Sequence, residues 1–204
     1  MEIAELFIKG GPIMYLLLIT SIAVAAIGIE RLVFYNYAGD GGDNFLDSLK
    51  DNFQNQSLAD VANFCHKEKN IVAEVALVGV VAKINGENVE IALDNAYTAA
   101  AMKLRARLNY LSMIVTLSPL LGLLGTISGM IESFNIFSLQ AGQPLAITGG
   151  IGEALIATAT GLCVAIFALL VHTYFSQKLD EMLTKIELTM NIVLSKVGEK
   201  NETP

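Results

Sequence analysis

Three long apolar runs divide this chain, and each is long enough to cross a membrane as a helix. They occupy residues 12–34, 110–137 and 149–175. A helix rises about 1.5 Å per residue, so about 20 apolar residues span the ~30 Å hydrocarbon layer. The first run also exceeds the apolar core of a signal peptide, and we expect it to remain in the protein. The pattern predicts an all-α integral membrane protein with three transmembrane helices.

The polar segments around these runs predict an orientation. Basic residues number one in segment 1–11, eight from Arg31 to residue 109, none in 138–148 and four in 176–204. Lys and Arg concentrate on the cytoplasmic side of spans. We therefore expect a periplasmic N-terminal segment, a cytoplasmic helical region, a periplasmic loop, and a cytoplasmic C-terminal helix and tail.

The region 35–109 reads as helical despite its polarity. Ser57 and Asn70 stand where helix N-caps are expected, and Asn85–Gly86 is a break signal. From Glu87 no Pro or Gly occurs before Pro119. This predicts that the second membrane helix begins well inside the cytoplasm.

The C-terminal tail carries an apolar seam at helical spacing, so the third membrane helix is also expected to extend into the cytoplasm. Isolated amphipathic helices are marginal in water. The seam is therefore expected to pack either on the chain's own cytoplasmic helices or on neighbouring subunits. Its members step by three and four residues: Leu179, Leu183, Ile186, Met190, Val193 and Val197.

Composition supports a membrane protein and argues against several other classes. Hydrophobic residues make up 53% and charged residues 16% of the 204 positions, and the mean hydropathy is +0.55. The net charge of −7 disfavours nucleic-acid binding. Cys65 and Cys163 have no metal-ligand spacing. We find no nucleophile–base pairing or phosphate-binding loop, so we expect no enzyme activity, cofactor or metal.

Small and polar residues follow one side of the second span. Steps of seven place Pro119, Thr126 and Ser133 nearly in line. Close helix approach is expected where glycine recurs every four residues, and the third span carries a second small stripe. Thr126 is either a packing contact or a functional group. The glycines expected to serve helix packing are Gly122, Gly125, Gly129 and Gly161.

Glu153 is an acid inside the third span, where an ionised carboxylate costs at least ~2.5 kcal/mol. It is either a proton-exchanging group or an interfacial acid near the end of the span. On an ideal helix it nearly coincides with Thr160, whereas Thr158 lies about 140° away. Both threonines are therefore kept as candidates. Glu132, near the outer end of the second span, is expected to reach the interface or a neighbouring helix.

Two stretches closely resemble the span signatures of the MotA/TolQ/ExbB proton channel family. They are Ser118–Ile131 (SPLLGLLGTISGMI) and Gly150–Leu162 (GIGEALIATATGL). The spacing of the spans and the Glu30–Arg31 pair after the first span also resemble ExbB and TolQ. The chain is short for MotA, whose cytoplasmic region is larger, so the resemblance favours the ExbB/TolQ branch.

The resemblance implies a proton-channel or motor subunit of the bacterial inner membrane. Several copies, as a pentamer, would surround a dimer of a single-span ExbD/TolR-like partner, whose intramembrane aspartate takes up and releases protons. Thr126, Glu153 and Thr158 would occupy the family's pore positions, and Thr160 is added on geometry. The work would serve TonB-dependent transport or Tol-type envelope maintenance, through a TonB/TolA-like protein.

A structural scaffold is the alternative from a different class. In that interpretation the small stripes serve only to assemble copies of the chain in the lipid, without proton conduction. It expects apolar replacements of Thr126, Thr158 or Glu153 to leave function intact. Glu132 stands where well-known ExbB proteins carry an amide, which leaves its role open.

Overall fold

A computed structural model describes the main chain of residues 11–39, 42–139 and 144–199. Side chains within these ranges are described except at 42–43, 136–139, 144–148, 153 and 198–199. The carboxyl group of Glu153 therefore lies outside the described residues, although its backbone is helical.

The regular structure within the described ranges is α-helical, with no strand among those residues. The helices, in chain order, are α1 (Ile13–Gly39), α2 (Gly42–Asn55), α3 (Leu58–Lys67), α4 (Ile71–Asn85), α5 (Val89–Arg105), α6 (Leu108–Leu139) and α7 (Pro144–Glu199).

Helices α1, α6 and α7 are long and apolar enough to cross a membrane. They contain 27, 32 and 56 residues, which correspond to about 40, 48 and 84 Å of helix. The prediction of an all-α membrane protein with three spans is confirmed. Because α7 is far longer than a ~30 Å hydrocarbon layer, it must continue beyond the lipid.

The chain divides into two compact units. Unit 1 combines the chain up to Ile29 with Arg107–Tyr174, and unit 2 combines Glu30–Ala106 with the chain from Phe175 onward. Unit 1 therefore contains most of the three apolar runs, whereas unit 2 contains the polar helices and the second half of α7.

Side-chain caps start three helices of unit 2. The Ser57 hydroxyl accepts from the Asp60 amide at 3.3 Å, and Asn70 Oδ1 accepts from the Ala73 amide at 2.7 Å. Both caps confirm the sequence prediction. Asn88 caps α5 in the same way, through the Ile91 amide at 3.0 Å. Each cap satisfies an amide that has no partner within its own helix.

The apolar seam of the tail packs inside unit 2. Ile186 and Val193 are fully buried. A Cβ built on Gly79 would lie 2.9 Å from Val193 Cγ1 and 2.6 Å from Leu93 Cδ2, so α7 packs tightly on α4 at this point. Of the two interpretations of the seam, the structure shows packing on the chain's own helices.

The C-terminal end of α5 is held by two side chains from α1. The buried Arg31 donates from Nη1 to the Lys103 carbonyl at 3.3 Å, and the Tyr35 hydroxyl donates to the Leu104 carbonyl at 2.9 Å. Arg31 also makes two hydrogen bonds to Glu30, at 2.8 and 2.9 Å. These donors satisfy carbonyls that the end of a helix leaves without amide partners.

A break separates α5 from α6, in a stretch where the sequence has no Pro or Gly. Helix α5 ends at Arg105 and α6 begins at Leu108. Arg107 between them has φ +67°, a left-handed conformation that ends an α-helix. Glycine usually occupies such positions, so the arginine gave no sequence signal for the break.

Cys65 is buried in unit 2, with 1% of its surface exposed. Burial raises the pKa of its thiol to about 12, since the thiolate would lose its hydration. The thiol is therefore neutral across the physiological pH range.

Candidate functional site

Helices α6 and α7 contact each other in unit 1 through small residues. Successive contacts run forward along α6 and backward along α7, so the two helices are antiparallel. Gly122 meets Thr158, Gly125 meets Ala157, and Gly129 meets Ala154. Small side chains at such a crossing let two backbones approach closely, which is a principal means of helix association in lipid.

At Gly161 the two helices meet backbone to backbone. A Cβ built there would lie 2.6 Å from the Ser118 carbonyl oxygen and 3.0 Å from Gly122 Cα. A Cβ on Gly122 would lie 3.0 Å from Thr158 Cα. Because these neighbours are main-chain atoms, they cannot rotate away. The structure thus places Gly161 and Gly122 where the two backbones meet.

The other two glycines of the packing prediction lie further along the same face of α6. A Cβ on Gly125 would lie 2.6 Å from Ala157 Cβ, and one on Gly129 would lie 3.0 Å from Ala154 Cβ. All four glycines therefore lie at the crossing within one chain. The small residues of α7 pack against α6 in this contact and are not left on the surface of the chain.

Thr158 makes a hydrogen bond between the two helices. Its hydroxyl donates to the Gly122 carbonyl at 2.8 Å. In the helical pattern of α6 that carbonyl is also the acceptor for the Thr126 amide, four residues on. One backbone oxygen therefore connects Thr158 to the turn that carries Thr126.

Thr126 and Thr160 bond within their own helices. The Thr126 hydroxyl donates to the Leu123 carbonyl at 2.7 Å, and the Thr160 hydroxyl donates to the Ile156 carbonyl at 2.8 Å. Both side chains are half-buried. Of the three predicted threonines, the structure brings only Thr158 into a bond with the opposite span.

The hydroxyl protons of these threonines are committed to carbonyls, which limits their chemistry. A hydroxyl has one proton to donate and two lone pairs that accept. In this arrangement each threonine can receive a hydrogen bond from a protonated carboxyl or a water. To donate a proton onward it would first have to release its carbonyl.

Among the described residues, acidic and metal-ligating side chains form no further site near the α6–α7 contact. Glu132 is exposed at the surface of the single chain. No group of three His, Cys, Asp or Glu side chains that could hold a metal occurs in the described part. The carboxyl group of Glu153 lies outside the described residues, so no distance from it to the threonines is given.

Sequence reasoning did not single out Ser118. It is fully buried and starts the contact face of α6, with Gly122, Gly125, Gly129 and Ser133 following at steps of four, three, four and four. Steps of seven select Pro119, Thr126 and Ser133, of which only Ser133 lies on this face. Alternating steps of three and four would have identified the buried face.

Removing the Thr158 hydroxyl tests the bond between the helices. Thr158→Val is expected to lower the unfolding free energy by about 1 kcal/mol, since hydrogen bonds between membrane helices average ~0.6 kcal/mol and reach ~1.7. Thr158→Ser retains the donor and is expected to stay closer to the wild type. Chemical unfolding in detergent would measure both. If the serine variant lost as much unfolding free energy as the valine variant, the assigned hydrogen bond would be contradicted.

Comparison with known proteins gives a family for this chain. Residues 55–188, which include the whole α6–α7 crossing, match the MotA/TolQ/ExbB proton channel family. ExbB-like biopolymer transport protein 1 of Synechocystis sp. is 33% identical over 187 residues, or 85% of this chain and 72% of that protein. The Tol-Pal system protein TolQ of Pseudomonas aeruginosa is 39% identical over 98 residues, or 48% and 42% of the two chains. This chain therefore belongs to the MotA/TolQ/ExbB proton channel family, in its ExbB/TolQ-like branch.

Proposed function

We propose that this chain is the three-span subunit of a proton-driven motor in the bacterial inner membrane. One observation carries the proposal: the Thr158 hydroxyl bonds to the Gly122 carbonyl at 2.8 Å, inside the range that matches a proton channel family. Polar groups inside spans are costly and tend to mark ion paths. The proposed path consists of Thr126, Thr158 and Thr160, with Glu153 as the titrating acid.

The proposed assembly is a homo-oligomer, a pentamer, around a dimer of an ExbD/TolR-like single-span partner. Large apolar side chains on α6 are exposed in the single chain, with Leu120 at 60% and Ile131 at 58%. Such a surface favours an assembly in which other molecules cover it. Lipid or neighbouring subunits would cover them in the membrane. The partner would supply an intramembrane aspartate, and its protonated carboxyl could donate to the lone pairs of Thr126.

The proposed orientation follows the distribution of basic residues. The N-terminal segment and the loop between α6 and α7 would be periplasmic, and unit 2 would be cytoplasmic. Protons would then move inward along the α6–α7 crossing. Relatives named for biopolymer transport and for the Tol-Pal system support TonB-dependent transport or Tol-type envelope maintenance as the powered process, through a TonB/TolA-like protein.

The packing of the glycines weakens the scaffold alternative. That alternative rested on small stripes left for contacts between copies. Gly122, Gly125 and Gly161 instead meet the opposite helix of the same chain. The stripes are thereby accounted for without a second copy, and a scaffold would have to assemble through its large apolar side chains.

Proton uptake into liposomes tests the proposed function. Vesicles would hold the complex of this chain with its single-span partner, under an imposed pH gradient. We expect uptake by the wild type, with loss on Thr126→Val and on replacing the partner's aspartate by asparagine, because both remove a polar group from the path. Undiminished uptake in both variants would refute the site, and absence of uptake from a verified wild-type complex would refute the channel.

Thr116→Val is the matched control for this experiment. Thr116 lies on the same helix, and its hydroxyl also donates to the carbonyl three residues earlier, Met113, at 2.9 Å. It is exposed in the single chain. We expect this variant to keep wild-type uptake. An equal loss in the two valine variants would show that any threonine-to-valine change in α6 impairs the complex.

A further inference from the structure

A cleft in unit 2 lies outside the proposed proton path. It has a volume of about 420 Å³, which is within the ~300–1,000 Å³ typical of small-molecule sites. Its walls come from the ends of α1, α3 and α5, from the first half of α4 and from the loop between α3 and α4. All of these residues belong to Glu30–Ala106, so the cleft is formed within unit 2 alone.

The α1 side of the cleft directly follows the first apolar run. Phe34 is the last residue of that run, and Tyr37 and Ala38 come after it on the same helix. Four residues of helix rise about 6 Å, and the headgroup layer is about 5–8 Å thick on each side of the hydrocarbon. Tyr37 is 64% exposed, and tyrosine concentrates at this level of a membrane. This side of the cleft is therefore at the depth of lipid headgroups.

Two lysines also line the cleft. Lys69 is exposed and has no ion-pair partner among the described side chains. Lys103 pairs with Glu74 at 2.8 Å, and both side chains are more than half exposed. Such a pair contributes little to stability, and an ammonium group has three hydrogens to donate. Both lysines can therefore donate hydrogen bonds to an anionic ligand in the cleft.

The start of α4 adds an unpaired donor and a partial positive charge. Asn70 lines the cleft and is only 5% exposed. Its Oδ1 caps α4 by accepting from the Ala73 amide, but its Nδ2 has no hydrogen-bond partner among the described residues. Ile71, the first residue of α4, lines the same cleft, and a helix N-terminus favours anions. This end of the cleft thus suits a ligand with negatively charged acceptor oxygens.

We propose that this cleft binds the phosphate group of a phospholipid from the leaflet next to unit 2. The phosphate oxygens accept hydrogen bonds from the two lysines near the start of α4, and the glycerol carbons contact Phe34 and Tyr37. Glu68 and Glu74 also line the cleft, so a phosphodiester with one negative charge is favoured over the more highly charged free phosphate. Lipid binding here requires no proton conduction, so its test is independent of the proposed channel.

Calorimetric titration of the full-length chain in detergent tests the proposal. The probes are dioctanoyl phosphatidylglycerol, inorganic phosphate, and dioctanoylglycerol, which has the acyl chains without the phosphate. We expect saturable binding of the phosphatidylglycerol, about tenfold or more tighter than binding of the other two probes. Equal affinity for inorganic phosphate would overturn the lipid source, and equal affinity for dioctanoylglycerol would overturn the role of the phosphate. Absence of saturable phosphatidylglycerol binding would overturn the site.

Lys69→Ala is expected to weaken phosphatidylglycerol binding about tenfold, because it removes one charge-assisted hydrogen bond. Lys50→Ala is the matched control. Lys50 is another exposed lysine of unit 2, on α2, and it lies outside the lining of the cleft. This variant should keep the wild-type affinity. Equal weakening in the two variants would show that surface lysines attract the lipid without a site, and the proposal would be wrong.

Asn70→Asp separates the ligand contact from the helix cap. Aspartate caps helices as well as asparagine does, so α4 should still begin at Ile71. The substitution replaces the unpaired Nδ2 donor with a second carboxylate oxygen and places a negative charge beside the phosphate. We expect phosphatidylglycerol binding to fall by more than about tenfold. Wild-type affinity in this variant would place the phosphate elsewhere and overturn the site, and Lys69→Ala decides the case if Asn70→Asp fails to fold.

Discussion

Gly161→Ala is expected to destabilise the protein by about 2–3 kcal/mol, in the range found when atoms are forced into a well-packed interior. The added Cβ would lie 2.6 Å from the Ser118 oxygen and 3.1 Å from the Gly122 amide nitrogen. These atoms belong to the backbone of α6, so only a shift of the whole helix relieves the overlap. Gly161→Leu is expected to prevent assembly of the complex. Unfolding in detergent and the yield of intact complex would measure the two effects.

Gly152→Ala is the matched control on the same helix. A Cβ there meets nothing within 4 Å, and alanine is favoured over glycine in a helix by up to about 1 kcal/mol. This variant should therefore be as stable as the wild type or more stable. If Gly161→Ala were equally harmless, the close crossing of α6 and α7 would be wrong.

Arg31→Ala is expected to destabilise unit 2 by about 2 kcal/mol, the range for losing hydrogen bonds made by a charged group. Its side chain is only 5% exposed, and the guanidinium carbon lies 4.6 Å from the centre of the Phe34 ring. The substitution removes the donor to the Lys103 carbonyl at the end of α5. Arg31→Lys should recover part of the loss, because an ammonium keeps the charge but lacks the planar fork.

Lys103→Ala separates this effect from that of an ordinary surface ion pair. The Lys103 ammonium pairs with Glu74 at 2.8 Å, but both side chains are more than half exposed. Such pairs contribute about 0–1 kcal/mol, and the Lys103 carbonyl that Arg31 uses is unchanged. In thermal unfolding, Arg31→Ala should have a clearly lower unfolding temperature than Lys103→Ala. Equal losses would mean that the buried guanidinium has no special role.

The features that the sequence predicted are those that depend on local pattern. Three apolar runs of sufficient length identify the spanning helices, since lipid leaves few alternatives to a helix. Ser57 and Asn70 were identifiable as caps because their side chains act within three residues of their own position. The family resemblance likewise rested on two continuous stretches in the second and third spans.

The features that the sequence did not predict depend on which residues meet across the fold. Helical periodicity shows that Thr158 shares a face with other small residues, but it cannot identify the Gly122 carbonyl as its acceptor. The break at Arg107 was missed because an arginine in a left-handed conformation carries no composition signal. Ser118 was missed because its burial depends on how α6 and α7 pack.

The burial of Cys65 makes its thiol a natural reporter of the integrity of unit 2. A neutral, inaccessible sulfur reacts with a maleimide only when the surrounding helices open, since the thiolate is the reactive form. In a Cys163→Ala background, the rate of labelling at Cys65 would measure how often unit 2 opens while the complex works. The chain thus carries its own probe for local unfolding under load, with no label added to the proposed proton path.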